Sequence, residues 1–261
     1  MIRSWVCAAL LCSASAVAGQ RPFIWNYDTE VVPEGDVELE QWLWAMGRAQ
    51  DTTGQYPNAG TYYVWWGPVV GIGQHLELAL PFEIFDPADE YAQLEFVSVD
   101  ARWRIRPRIE TGGFQGLVRL AYLHSTTAAE DWYSHLQLDL VGSWGERKEP
   151  HLALDVQGSL DWNGTRGLTE SGYADLGFSW PLANGEFQIG GEFFGQWVHP
   201  WVPAWNNAPG FFGPPKFQPF VGPDLAWTHG RFWLTAGVLL GLDPGSLQPR
   251  WMPRVVWAVA L

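Results

Sequence analysis

The chain has 261 residues, of which 47% are hydrophobic and 15% aromatic, and a formal net charge of −13. This acidic balance speaks against a nucleic-acid partner, which would need clustered Lys and Arg. Both cysteines, Cys7 and Cys12, fall in the first 18 residues, so the remainder cannot form a disulfide, a catalytic thiolate or a thiolate metal site. We found no Cys/His metal spacing and no nucleotide-binding motif, and therefore expect no metal and no cofactor.

The N-terminus predicts an exported protein. Arg3 supplies a positive charge, Trp5 to Leu11 is apolar, and Ala16-Val17-Ala18 fits a signal-peptidase site. We predict a signal peptide over residues 1–18, followed by an irregular periplasmic segment over residues 19–35. No stretch approaches about 18 consecutive apolar residues, so no transmembrane helix is expected.

Beyond residue 35, apolar and polar residues alternate. Between Trp132 and Trp144, apolar residues such as Leu136 and Leu138 alternate with polar ones such as Asp139. A period of two indicates a strand with one apolar face. About twelve such residues, tilted by about 40°, span the ~30 Å apolar core of a bilayer, and Trp at each end suits the two water interfaces. The pattern therefore predicts a transmembrane β-strand.

We predict twelve such strands. They run near Asp36–Met46, Thr61–Val70, His75–Phe85, Leu94–Ile105, Phe114–His124, Trp132–Trp144, His151–Trp162, Ser171–Pro181, Glu186–Trp197, Lys216–Thr228, Arg231–Gly241 and Arg250–Leu261. Tight turns, such as 71–74 and 182–185, alternate with longer loops, as in outer-membrane barrels. The predicted fold is all-β, a single antiparallel up-and-down transmembrane β-barrel of about 12 strands over residues 36–261, located in the bacterial outer membrane. The alternative is a soluble β-sandwich or a secreted lectin-like barrel, whose strands would be about five or six residues long.

Charged residues in mid-strand are expected to face the lumen, because Arg or Lys facing lipid costs about 2–4 kcal/mol at the midplane. The predicted lumen-lining charged belt consists of Glu77, Asp100, Arg102, Arg104, Arg119, Asp139, Asp155, Asp175, Glu192, Asp224 and Arg254. Glu38 and Glu40, on a less regular strand, are assigned to the same face. Two interpretations remain open: a charged constriction that selects solutes, or an ion-pair network that stiffens a filled barrel.

The longest loop, 198–215, is rich in Pro, Gly and aromatic residues. Its aromatic residues are Trp201, Trp205, Phe211 and Phe212. This composition favours a shaped loop without regular structure. The loop either packs on the rim or acts as a lid that folds into the mouth and contacts an apolar solute.

A lipid-hydrolysing enzyme is a weaker alternative. Such barrels use a Ser and a His near the rim, and His124-Ser125 ends the fifth predicted strand. Positions adjacent in sequence do not give the Ser–His geometry that this catalysis needs. We therefore predict no enzymatic activity and no catalytic residue.

Two stretches carry a family resemblance. They are Gly73-Gln74-His75-Leu76-Glu77-Leu78-Ala79-Leu80-Pro81 and Ser98-Val99-Asp100-Ala101-Arg102-Trp103-Arg104. The chain resembles Gram-negative outer-membrane β-barrels and, more narrowly, the transporter family named for the meta-pathway of phenol degradation. The narrower resemblance covers residues 36–105 and implies uptake or export of small molecules, which could include aromatic ones. One departure is Leu261, since such barrels commonly end in Phe; it bears on recognition by the insertion machinery.

The expected function is passive movement of small solutes across the outer membrane through a charged lumen. The competing functions are a non-conducting structural or adhesion barrel and an outer-membrane lipid-modifying enzyme. The expected partners are outer-membrane lipid, a small-molecule solute, periplasmic chaperones and the barrel insertion machinery.

Overall fold

The computed structural model describes residues 21–47, 61–86, 91–107, 113–126, 133–145, 148–163, 167–198, 201–202, 211–212, 216–243 and 249–261. The predicted signal peptide lies outside these ranges. Apart from one short 3-10 turn, Ala183–Gly185, the regular structure of the described ranges is all β. No helix in them is long and apolar enough to cross a membrane.

Twelve strands form the main sheet of the described residues. In chain order they are β1 (Val37–Met46), β2 (Thr61–Ile72), β3 (Leu76–Ala79 and Phe82–Asp86), β4 (Gln93–Arg104), β5 (Phe114–Ser125), β6 (Tyr133–Trp144), β7 (His151–Asn163), β8 (Gly167–Leu182), β9 (Phe187–Val198), β10 (Lys216–His229), β11 (Phe232–Gly241) and β12 (Trp251–Ala260). Each strand pairs antiparallel with the next one along the chain.

The sheet closes on itself. Strand β1 pairs with β2 on one side and with β12 on the other, in a register that runs from Glu38 opposite Ala260 to Trp44 opposite Arg254. Closure removes the sheet edges, as a strand-built membrane protein requires. The predicted twelve-stranded, up-and-down antiparallel barrel is confirmed for the described part of the chain.

Strand β3 is interrupted where the sequence predicted one continuous strand. The break falls at Leu80-Pro81, and the pieces on either side pair with both β2 and β4. Proline has no N–H to donate to the ladder. The Pro81 carbonyl still accepts a hydrogen bond from the Ser98 N–H at 2.9 Å, so the strand keeps its place in the barrel.

Alternation separates an outward face from an inward face. On β6, Leu138 and Leu140 are 47% and 55% exposed, whereas Asp139 between them is 0% exposed. The exposed leucines belong to a continuous outer surface of apolar side chains, which lipid would cover. The inward side chains, in contrast, are buried among themselves and against the N-terminal residues described next.

Candidate functional site

Residues 21–35, named here the lumenal segment, lie inside the barrel as far as Val32 and leave it at an exposed turn, Glu34-Gly35. The segment has no regular structure, yet Phe23, Asp28 and Val31 are only 1–2% exposed. It contacts inward residues of strands around the whole circumference, including Glu77 on β3, Asp155 on β7 and Glu192 on β9. The sequence predicted an irregular periplasmic lead-in here. The segment is irregular, but it lies in the lumen because inward acceptors bind its backbone.

Lumenal carboxylates hold the segment through its backbone N–H groups. The Glu192 carboxylate accepts hydrogen bonds from three consecutive residues, Ile24 at 2.5 Å, Trp25 at 2.9 Å and Asn26 at 3.2 Å. Asp155 accepts from the Tyr27 N–H at 3.2 Å, and Glu77 from the Val32 N–H at 2.8 Å. Backbone N–H groups need partners when buried, and the charged acceptors strengthen these bonds.

Side chains of the segment fit small residues of the barrel wall. A Cβ at Gly177 would come within 2.6 Å of the Phe23 ring, and a Cβ at Gly237 would come within 2.8 Å of Ile24. Larger residues at these two wall positions would therefore push the segment out of place. The wall and the segment are shaped for each other.

A turn at Asp28 anchors the middle of the segment. Asp28 has a φ of 55°, and its N–H donates to the Asn26 side-chain oxygen at 2.9 Å; Asx side chains favour such turns. Its carboxylate contacts His151 Nε2 at 2.9 Å and accepts from the Thr29 N–H at 2.7 Å. Burial alone would raise the pKa of the Asp28 carboxyl, but His151 and the Thr29 N–H hold that pKa below its ordinary value. Thr29 Oγ1 also lies 2.5 Å from Ser143 Oγ on β6.

Every residue of the predicted charged belt is buried on the inward side of the barrel. Their exposures lie between 0% and 6%, for Glu77, Asp100, Arg102, Arg104, Arg119, Asp139, Asp155, Asp175, Glu192, Asp224 and Arg254. Glu38 and Glu40, at 2% and 1%, join them. The structure does not bring all of these charges into one network; most of them fall into two sectors.

The ion-paired sector lies on β1 and β3–β6 and comprises Glu40, Glu77, Asp100, Arg102, Arg119 and Asp139. Arg119 donates to Asp100 at 2.8 Å and to Asp139 at 2.7 Å. Arg102 donates to Asp100 at 3.2 Å and also pairs with Glu77. Arg21 of the lumenal segment completes the sector, with contacts to Glu40 at 3.1 Å and Glu77 at 3.4 Å. Here each buried charge has a partner of opposite sign.

The acidic sector comprises Asp155, Asp175, Glu192 and Asp224, one on each of β7–β10. Asp155 and Asp175 are directly opposite each other in the β7–β8 register. Within the described residues none of the four forms a salt bridge. Instead Asp155 accepts from the Tyr173 hydroxyl at 3.2 Å, and the lumenal segment covers Glu192 and Asp155 with backbone donors.

Two arginines of the belt contact the lumenal segment. Arg104 Nη1 lies 3.8 Å from Glu30 of the segment. The guanidinium of Arg254 lies over the rings of Trp42 and Trp25, 4.0 Å and 4.3 Å from their centroids. A guanidinium over an aromatic face is attracted by the ring electrons.

An inward aromatic cluster was not predicted. Trp42 stacks on Trp65 at 4.8 Å, and Trp233 is 0% exposed. Trp42 also contacts Tyr27 of the lumenal segment at 5.5 Å. Strand alternation in the sequence could have indicated the inward position, because Trp42 shares a face with Glu38 and Glu40. Aromatic residues were instead assigned to the membrane interfaces.

The predicted lid loop is described only in part. Trp201–Val202 pairs antiparallel with Phe211–Phe212 as a short two-stranded ladder. Trp205 lies outside the described residues. The proposal that these aromatic residues form a lid stays a prediction.

The Ser–His arrangement on the outer face differs from the sequence expectation. His124 Nδ1 lies 2.8 Å from Ser134 Oγ on the neighbouring strand, and Ser134 is 1% exposed. A nucleophile must be reachable by the acyl group it attacks. A buried Ser134 does not meet that requirement.

No group of His, Cys, Asp or Glu among the described residues is arranged to hold a metal ion.

Comparison with known proteins gives the fold. No sequence-family model and no curated protein sequence matches the chain. Solved structures do: the COG4313 outer membrane channel from Pseudomonas putida F1 has a TM-score of 0.56 at 11% identity, with 90% of this chain and 98% of that one covered. The NanC porin has a TM-score of 0.54 at 10% identity, covering 85% and 100%. The translocator domain of the autotransporter NalP from Neisseria meningitidis has a TM-score of 0.50 at 14% identity, covering 87% and 88%. The chain thus has the fold of outer-membrane β-barrels.

Proposed function

We propose that this chain is an outer-membrane channel for small solutes whose lumen is closed by residues 21–35 and conducts when that segment leaves. The observation that carries the proposal is the closed barrel with a lumen filled by a separate stretch of its own chain. The sheet closes through β1 and β12 without the segment. Its departure would therefore open a passage without breaking the barrel.

The segment is held by contacts that can be exchanged for water or solute. Hydrogen bonds to Glu192, Asp155 and Glu77 are not part of the β-ladder. In an opened lumen, water would satisfy the same carboxylates, so the net stabilisation from each bond is about 1.5–3 kcal/mol. Passive movement of solute then needs no energy source beyond thermal displacement of the segment.

Export and family membership belong to the same proposal. The predicted signal peptide over residues 1–18 would export the chain, and we place the barrel in the bacterial outer membrane, where lipid would cover its apolar outer surface. The stretches 73–81 and 98–104 support membership of the transporter family named for phenol degradation, and hence small solutes, aromatic ones included. Two solved structures of the same fold are described as a porin and a channel.

A second candidate function is a non-conducting structural barrel. The ion-paired sector favours it, because Arg119 bridges Asp100 and Asp139 in a buried network that joins β4, β5 and β6. Such a network stiffens a filled barrel whether or not solute passes. We propose no enzymatic role, and the buried Ser134 supports that choice.

Single-channel recording of the refolded chain in a planar bilayer separates these functions. A channel with a displaceable segment gives discrete current steps with long closed intervals. A structural barrel gives no current steps, either as the wild-type chain or as variants in which the lumenal segment is held less tightly. Heat-unfolded protein in the same detergent serves as the control for leaks.

A further inference from the structure

The acidic sector is an unusual concentration of unpaired carboxylates. Asp155, Asp175 and Glu192 are 0–2% exposed and Asp224 is 6% exposed. They lie on four successive strands, and Asp175 and Asp224 each lie close enough to Glu192 to share a hydrogen bond with its carboxyl group. Buried charges normally have partners of opposite sign. Within the described residues no cation lies within salt-bridge distance of this sector, and Arg119 and Arg254 act on Asp155 and Glu192 only from farther away.

Part of its hydrogen-bonding capacity is unused. Asp155 Oδ1, Asp175 Oδ2 and both carboxylate oxygens of Asp224 are buried, and no backbone, amide or hydroxyl group of the described residues donates a hydrogen bond to them. The Asp224 carboxylate lies over Gly190, where any larger residue would collide with it. A buried acceptor without a donor destabilises the conformation that buries it. The sector is therefore built to accept more donors than the closed conformation supplies.

The lumenal segment places two kinds of group against the acidic sector, namely hydrogen-bond donors and an aromatic ring. Its backbone gives Glu192 three N–H donors, from Ile24, Trp25 and Asn26. Its Trp25 ring packs on Phe194 at 5.3 Å, and Phe194 also contacts Tyr173 at 5.2 Å. The Trp25 ring and the three N–H donors thus lie side by side, with the ring against Phe194 and the donors against Glu192.

We infer that the acidic sector together with Phe194 and Tyr173 forms a binding site for protonated aromatic amines. The Ile24–Asn26 stretch occupies that site in the closed conformation. An ammonium group has three donors and a positive charge, which suits the unfilled oxygens of Asp224 and Asp175, and its ring would take the position of Trp25. A carboxylate or phosphate solute would be repelled. This inference rests on the proposed channel function, since solute reaches the site when the segment withdraws.

Calorimetric titration of the full chain in detergent at neutral pH tests the site. The probes are tryptamine, a protonated amine, and tryptophol, its neutral alcohol counterpart. Trp25→Ala removes the ring that occupies the site. We expect this variant to bind tryptamine at least about tenfold more tightly than tryptophol, which corresponds to one charge-assisted contact. Wild-type chain should bind both probes more weakly than Trp25→Ala, with the same order.

Two further variants make the test specific. Asp224→Asn added to Trp25→Ala should cut the preference for the amine to below about threefold, because one charge is lost. Trp180→Ala, on the outward face of β8, should bind like wild type. Heat-dependent mobility in electrophoresis checks folding, and Trp25→Leu replaces Trp25→Ala if the latter does not fold.

Equal affinities for the two probes in the Trp25 variant would overturn the inference. So would an absence of binding, or an amine preference that survives Asp224→Asn. Titration needs no transport, so the two proposals can fail separately. A barrel that binds tryptamine but never conducts removes the channel function and leaves the site. A barrel that conducts but does not distinguish the probes removes the site alone.

Discussion

The carboxylate of Glu192 accepts the backbone N–H of Trp25 at 2.9 Å and thereby joins the barrel wall to the chain that fills its lumen. The neighbouring N–H groups of Ile24 and Asn26 bind the same carboxylate. One strand side chain therefore fixes a three-residue stretch of irregular backbone. This contact is the natural place to weaken the closed conformation.

We expect Glu192→Gln to loosen the lumenal segment. The amide keeps one acceptor oxygen but loses the charge, and its NH2 group faces N–H donors. The loss of docking free energy should be about 2 kcal/mol, a roughly 30-fold change in the open fraction. Hydrogen exchange at residues 24–26 should speed up by the same factor. Glu170→Gln, an exposed residue of β8, is the matched control, and unchanged exchange in Glu192→Gln would show that this contact does not hold the segment.

The contact between Asp28 and His151 predicts a pH dependence. Because the folded-state pKa of Asp28 is lowered, its stabilisation is present above its ordinary pKa of about 4 and is lost as pH falls through the folded value. Near pH 6, Asp28→Asn should therefore open more often than wild type. The difference between the two should shrink as pH approaches 3. A constant difference across this range, measured by single-channel open probability, would rule out an ionised Asp28 as the anchor.

The outward face should not tolerate charge. Leu138 is 47% exposed in mid-strand on β6, where lipid would surround it. Leu138→Arg should destabilise the barrel by about 2–4 kcal/mol in reversible unfolding from lipid vesicles. Leu138→Ala keeps the position apolar and should cost less. Similar losses in both variants would mean that the position does not lie near the bilayer midplane.

The acidic sector should set ion preference in the open state. Replacing Asp155, Asp175 and Asp224 with Asn removes three acidic groups that have no salt-bridge partner within the described residues. Because water in the open lumen favours their ionised form, a cation preference should weaken in this variant. The zero-current potential in a salt gradient should move toward the anion side. Glu186→Gln, in a short turn, should leave it unchanged. If the triple variant keeps the wild-type potential, selectivity lies elsewhere in the pore.

The sequence was informative where side chains decide the structure. Alternation placed Asp139 inward and Leu138 outward, and the closed barrel with both assignments follows from that pattern. It was less informative at Pro81, where a residue without an N–H stands inside an otherwise regular strand and splits it. The sequence shows that Trp42 shares a face with Glu40, but it does not show the stacking of Trp42 on Trp65 of the neighbouring strand.

The lumenal segment could not be predicted, for a physical reason. It is held mainly by backbone N–H groups, which every residue except proline carries, so residues 24–26 bear no signature of their binding to Glu192. Its fit to Gly177 and Gly237 also depends on positions more than 150 residues away in the chain. The belt acids are buried on the inward side. Their division into an ion-paired and an acidic sector depends on where Arg119 and Arg102 reach, which alternation does not specify.

The closing role of the lumenal segment is tested most directly by a reversible cross-link. Thr29 Oγ1 and Ser143 Oγ lie 2.5 Å apart, so Thr29→Cys with Ser143→Cys places two sulfurs at disulfide range. The chain's own cysteines, Cys7 and Cys12, fall in the predicted signal peptide, and each single variant is a control. In planar bilayers the oxidised double variant should give no current steps, and reductant should restore the openings seen in wild type. Wild-type conductance from the fully oxidised double variant would contradict a lumen closed by this segment.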